Sequence, residues 1–139
     1  MFTNNTMKLT EHRHFQIRNE IILLLGVDYE AVSMMRRTLE AVGFPVLIAE
    51  DDDQAADLFK SFNGAVRLLI IDVSLQDEGA LETISALRKR NPALKVIVAS
   101  KEVSPKELHE IQLVGVIELI RKPVDKEHLL RVVHRIVEK

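Results

Sequence analysis

None of the 139 residues is cysteine. That absence excludes disulfides, thiolate metal sites and cysteine nucleophiles. Aromatic residues make up only 4% of the chain, so its core is expected to be aliphatic, and a flavin would find little to stack on. No glycine-rich phosphate loop follows the first apolar run, which removes the usual nucleotide cradle. The formal charge is −2, without the basic excess that holds a protein to nucleic acid. No apolar run approaches the roughly 20 residues of a membrane span. The N-terminus is polar, with His12, Arg13 and His14 and no apolar signal core, so a cytoplasmic location is expected. His12 and His14 alone make a weak metal pair.

What is present is a set of short aliphatic runs separated by helical patterns. Leu68-Leu69-Ile70-Ile71 leads directly into Asp72 and then Val73-Ser74. An unbroken branched run of this length suits a strand buried on both faces of a parallel sheet. Comparable runs occupy Ile21 to Leu25, Phe44 to Ala49, Val96 to Ala99 and Val116 to Ile120. Pro45 stands near the start of its run, where a missing donor is tolerated.

Between them the apolar residues recur at helical spacing. Val32, Met35, Leu39 and Val42 form one face, which Gly43 is placed to end. Ala55, Leu58, Phe59 and Phe62 form a second, and Leu81, Ile84 and Leu87 a third. Ser104-Pro105-Lys106-Glu107 combines a capping box with proline at the first helical position, opening a fourth helix through Leu108 and Ile111. Asp125 caps a fifth, whose face is Leu129, Val132, Val133, Ile136 and Val137. The acidic run Glu50-Asp51-Asp52-Asp53 resembles a metal site but fits a helix start better, because carboxylates favour the positive end of the helix dipole.

Five strands alternating with five helices predict an α/β fold. Its architecture is a three-layer, doubly wound, five-stranded parallel sheet of flavodoxin-like type. Residues 1–20 read as a flexible N-terminal extension and 21–139 as one domain. In such a sheet the carboxyl ends of the strands gather on one edge, where α/β proteins place their sites. Asp72, Ser100 and Lys122 all fall at strand ends. A carboxylate, a hydroxyl and an ammonium gathered there suit phosphoryl transfer. Asp72 would be the nucleophile, Lys122 the point charge for phosphoryl oxygens and Ser100 a hydrogen-bond donor. The bland alternative is that Asp72 simply ends its strand and starts a turn.

Leu68-Leu69-Ile70-Ile71-Asp72, Val96-Ile97-Val98-Ala99-Ser100-Lys101 and Arg121-Lys122-Pro123 together resemble the receiver domains of bacterial two-component response regulators, over about Ile21 to Val137. The resemblance implies strand order 2-1-3-4-5 and a cis Lys122-Pro123 peptide. It implies a signalling module rather than an enzyme, in which a histidine kinase or phosphotransfer protein phosphorylates Asp72. Ser100 and Lys122 would read the acyl phosphate and shift the face built by the fourth helix, fifth strand and fifth helix. An output protein or domain would dock on that face; the charges Lys106, Glu110, Arg131 and Arg135 there could instead pair with a second copy of the chain across a two-fold axis, or simply form a solvated charged surface. Direct nucleic-acid or membrane binding is not expected.

The departures from the family are informative. An acidic pair normally follows the first strand to hold Mg²⁺, and here those positions are Gly26 and Val27. Asp28 matches a frequent third acid. It would join the site only through a shifted loop that breaks the register between the first strand and the Val32 face. The Mg²⁺ ligands left are Asp72, the carbonyl of Ser74 and Asp28, so binding is expected to be weak or absent. Leu119 stands where an aromatic switch residue is common, and the loop Gln76-Asp77-Glu78-Gly79 is short and lacks the usual Pro-Gly. Two functions follow: a receiver that still accepts phosphate on Asp72, and a phosphorylation-independent interaction module set by a partner or ligand.

Overall fold

A computed structural model describes residues 20–62, 64–72 and 78–137. The expectations for the N-terminal extension, His12, His14 and Ser74 lie outside those residues. The elements alternate without exception: β1 (Ile21–Gly26), α1 (Tyr29–Glu40), β2 (Val46–Ala49), α2 (Asp52–Ser61), β3 (Val66–Asp72), α3 (Glu78–Arg90), β4 (Lys95–Ser100), α4 (Pro105–Leu113), β5 (Val116–Arg121) and α5 (Lys126–Val137). The strands pair in the order β2-β1-β3-β4-β5, all parallel.

The period of two along each strand sorts the core into two layers. Ile22, Leu24, Leu68, Ile70 and Ile97 point to one face, where Met35 and Leu39 of α1 and Leu129 and Val133 of α5 cover them. Leu23, Leu25, Leu69, Ile71 and Val98 point to the other, against Phe59 of α2, Ile84 and Leu87 of α3 and Ile111 of α4. Leu68, Leu69, Ile70 and Ile71 are all fully buried, so β3 is the central strand its sequence implies. Cutting one of them to alanine would cost about 2–5 kcal/mol, the range for a large-to-small change in a packed core.

The helix ends follow their sequence signals. Ser104 and Glu107 form a reciprocal capping box with Pro105 at the start of α4. Asp125 Oδ2 accepts from the His128 amide at 2.9 Å at the start of α5. Asp51 caps α2, its carboxylate accepting from Gln54 N at 2.8 Å, while Asp52 and Asp53 stand in the first turn. The acidic run is therefore a helix start. Boundaries shift by a residue or two: α1 ends at Glu40, short of Val42, α2 ends at Ser61, short of Phe62, and β3 starts at Val66, ahead of Leu68. β2 begins at Val46, because Phe44 is still held by the end of α1: its amide donates to Leu39 O at 3.2 Å, and its ring is buried beneath that helix.

Candidate functional site

The carboxyl ends of β1, β3, β4 and β5 meet at one edge of the sheet. Asp72 ends β3 opposite Gly26 of β1 and Ala99 of β4, and Ser100 lies opposite Arg121 of β5. Lys122 follows β5 directly, and its backbone amide donates to the Ser100 carbonyl at 3.0 Å. The Lys122–Pro123 peptide is cis, as the resemblance implied. Three strand ends thus deliver the three residues that the sequence singled out to one edge.

Asp72 and Lys122 are in contact. Nζ lies 2.7 Å from Asp72 Oδ1, with the Asp72 side chain 2% exposed. Among the described residues the Lys122 ammonium is the one group that supports the Asp72 carboxylate, whose oxygens have no other described donor. Burial pushes the Asp72 carboxyl above its ordinary range, and Lys122 offsets only part of that rise. Burial also works against the Lys122 ammonium, but its two carboxylate partners outweigh it and hold its pKa above the usual lysine value.

The second partner is Asp28. Its Oδ2 lies 3.0 Å from Lys122 Nζ, joining residues 94 apart in the chain. Its Oδ1 accepts from Ala31 N at 3.3 Å, so the same side chain caps α1. The Lys122 contact holds the Asp28 carboxyl below its ordinary range, with the Ala31 amide adding to the effect. No break in register is needed, contrary to the expectation from sequence. β1 stays paired with β2 from Ile22 to Leu25, and Val32 remains buried. An N-cap position is simply the last one that can face both the helix and the sheet edge. The capping signal, an Asp just before a helical period, was present in the sequence; the lysine it reaches was not visible there.

Ser100 is buried, but its hydroxyl donates to the Glu102 carbonyl at 3.2 Å. Among the described residues its hydroxyl makes no hydrogen bond to Asp72 or Lys122. Gly26 was missed as a packing constraint. A β-carbon there would meet the Asp72 carbonyl oxygen at 2.8 Å and Val32 Cγ2 at 3.2 Å. A glycine at a strand end is a known sign of such close approach.

The donor set can be tested against Mg²⁺. Mg²⁺ is commonly held by one or two carboxylates, the rest of its octahedron being water and substrate oxygen. Asp72 offers two buried oxygens with no described donor besides Lys122, and Asp28 shares that ammonium. Those two carboxylates meet the minimum. Val27 adds nothing, its side chain being apolar and the residue 77% exposed. Among the described residues no three His, Cys, Asp or Glu gather as a cation cage.

On the opposite flank, Glu118 of β5 and Arg135 of α5 pair at 2.6 Å. Arg135 is thus engaged within its own chain. Leu113 and Ile117 are exposed nearby. Among the described residues no helix is long and apolar enough to cross a membrane.

Comparison with known proteins gives one consistent answer. The profile of the response regulator receiver domain matches residues 22–134. The transcriptional regulatory protein CpxR of Escherichia coli K12 is 26% identical over 118 residues, covering 85% of this chain and 49% of CpxR. The photosynthetic apparatus regulatory protein RegA of Rhodobacter capsulatus is 27% identical over 104 residues, 75% of this chain and 55% of RegA. The chain therefore spans about half the length of the curated relatives it matches. Among solved structures, a response regulator from Thermotoga maritima superposes with a TM-score of 0.77 at 23% identity, covering 88% of this chain and all of that one (100%). The chemotaxis protein CheY4 of Vibrio cholerae gives 0.76 at 22% identity, over 86% of this chain and 99% of CheY4.

Proposed function

This chain belongs to the response regulator receiver domain family of two-component systems, and from that membership we propose that it accepts a phosphoryl group on Asp72 through a weakened Mg²⁺ site. The observation that carries the reading is the 2.7 Å pairing of a buried carboxylate with Lys122, with no other donor to it among the described residues. A carboxylate engaged by a single ammonium keeps most of its lone pairs available. Its neighbouring ammonium supplies positive charge where phosphoryl oxygens would arrive.

The donor is a phosphohistidine on a histidine kinase or phosphotransfer protein. An Asp72 carboxylate oxygen forms the new P–O bond as the P–N bond breaks, and the leaving imidazole keeps the electron pair and takes up a proton. The product is an acyl phosphate. Bound Mg²⁺ would be held by Asp72 and Asp28 and would neutralise charge on the transferring group. With Gly26 and Val27 in place of acids, that neutralisation falls more heavily on Lys122, so transfer is slow. The output protein or domain, or a second copy of the chain, docks on the α4-β5-α5 face. Of the charges expected to pair there, Lys106 and Arg131 stay exposed, while Arg135 is engaged by Glu118.

A second reading, a phosphorylation-independent interaction module, draws on the Lys122 bridge. With Asp28 and Asp72 both on one ammonium, and the Ser100 hydroxyl turned to Glu102, the site is closed on itself. Incubation with a small phosphoryl donor across a Mg²⁺ titration separates the two. A mass gain of one phosphoryl group, abolished by Asp72→Asn, supports the first. No gain with any donor at any Mg²⁺ concentration leaves the second.

A further inference from the structure

A crevice between α1 and the β1–β2 edge of the sheet is not accounted for by phosphoryl transfer. Tyr29, Val32, Ser33 and Arg36 follow the i, i+3, i+4, i+7 spacing of one helix face, and all four line a cavity of about 360 Å³. The facing wall includes Gly26 of β1 and Ile48 of β2, and Glu50 stands beside it. The volume falls at the lower end of small-molecule sites, roughly 300–1,000 Å³.

Arg36 makes this crevice more than a surface dent. Its Nε is enclosed, with no acceptor among the described residues, so an anion in the cavity would meet the terminal nitrogens of the guanidinium. Among the described residues no carboxylate pairs with its guanidinium, although Glu50 lines the same cavity. The two terminal nitrogens of a guanidinium stand side by side and can take both oxygens of an oxyanion.

We propose that this crevice binds a small molecule carrying a carboxylate or phosphate group, anchored by Arg36. Val32 and Ile48 give the ligand's carbon skeleton an apolar wall. Glu50 repels a second negative charge, so the far end of the ligand carries a hydrogen-bond donor, an amine or a hydroxyl. A zwitterionic amino acid and a hydroxylated phosphate monoester share that chemistry. The bound molecule lies against Gly26, the ladder partner of Asp72. The proposal does not depend on phosphorylation of Asp72.

The test is a nitrogen-15 NMR titration of the full chain with L-leucine, glycerol phosphate and inorganic phosphate in turn. The expected result is a saturable shift of the Arg36 Nε–H resonance and of the Ser33 and Ile48 amides with at least one organic probe. Arg36→Gln weakens that binding by about tenfold or more, the scale of one lost charge-assisted contact. Ile48→Phe, which fills the crevice, abolishes it, and Asp72→Asn leaves it unchanged. The spectrum of each variant reports whether it is folded, and two independent variants keep the test alive if one is not. The proposal is overturned if no organic probe gives a saturable shift, if Arg36→Gln binds as tightly as the parent, or if the shifts centre on Asp72 and Lys122 instead.

Discussion

Gly26 lies directly across the β1–β3 ladder from Asp72, and a β-carbon at position 26 would come within 2.8 Å of the Asp72 carbonyl oxygen. The two positions that lack the family's acids are therefore not equivalent. Val27 is 77% exposed and has room for a carboxylate, whereas Gly26 has none without moving Asp72 or Val32.

Val27→Asp should accordingly raise Mg²⁺ affinity by roughly tenfold, since carboxylate count tunes such sites. Gly26→Asp should instead destabilise the fold by about 1–3 kcal/mol, as overpacking does. Calorimetric Mg²⁺ titration and urea melts check both. Equal Mg²⁺ affinity of Val27→Asp and the parent would remove position 27 from the metal site.

Asp72→Asn should raise the urea midpoint at neutral pH. Burial raises the Asp72 carboxyl above its unfolded value. A group raised by folding contributes stability that is fully present below its unfolded pKa and lost as pH rises through its folded pKa. At neutral pH the ionised side chain is thus a net cost, which asparagine removes. The advantage of Asp72→Asn over the parent should shrink towards zero as pH falls below the ordinary carboxylate range. An advantage that grows on acidification would reverse the sign assigned to Asp72.

All ten elements could be read from the chain because aliphatic periodicity reports burial, and burial is what an α/β fold demands of its strands. Asp72 was legible for a related reason, being the first polar side chain where its apolar strand runs out, and Lys122 stood out just past Arg121 and before Pro123. The bridge from Lys122 to Asp28 was not, because a contact over 94 residues leaves no local pattern. Nor was the direction of the Ser100 hydroxyl, which depends on the Glu102 carbonyl that happens to fold back over it. The helical face of Val32 could be predicted, but the vacancy beside Arg36 arises from how α1 leans on β2, which no spacing encodes.

Gly115→Ala should cost about 1 kcal/mol or more, because two obstacles coincide. The residue sits at φ 95°, where side chains other than glycine are strained. The guanidinium of Arg88 also fills the space a β-carbon would take. Arg88 is held there by its bonds to Leu94 O at 3.3 Å and Pro92 O at 3.1 Å. Removing that obstacle with Arg88→Ala in the same chain should recover only part of the loss. Full recovery would mean that the positive φ contributes nothing.

Lys122→Met should destabilise the protein by about 3 kcal/mol near neutral pH, the lower end of what breaking a buried ion pair costs. The loss comes from the stranded partner rather than from the missing lysine. Asp72, with its side chain 2% exposed, would keep its burial penalty and lose its only described counter-charge. Its pKa would rise further, so the deficit should ease on acidification as the carboxyl takes a proton. Asp28 would suffer less, being half-exposed and still bonded to the Ala31 amide. Adding Asp72→Asn to Lys122→Met should therefore restore most of the lost stability, a strongly non-additive pair. Asp28→Asn, which retains a capping oxygen, should lower the Lys122 pKa measured by NMR without unfolding the start of α1. If the effects of Lys122→Met and Asp72→Asn, a loss and a gain measured separately, simply add in the double variant, the ammonium at this edge is not the counter-ion of Asp72, and the phosphoacceptor reading loses its physical basis.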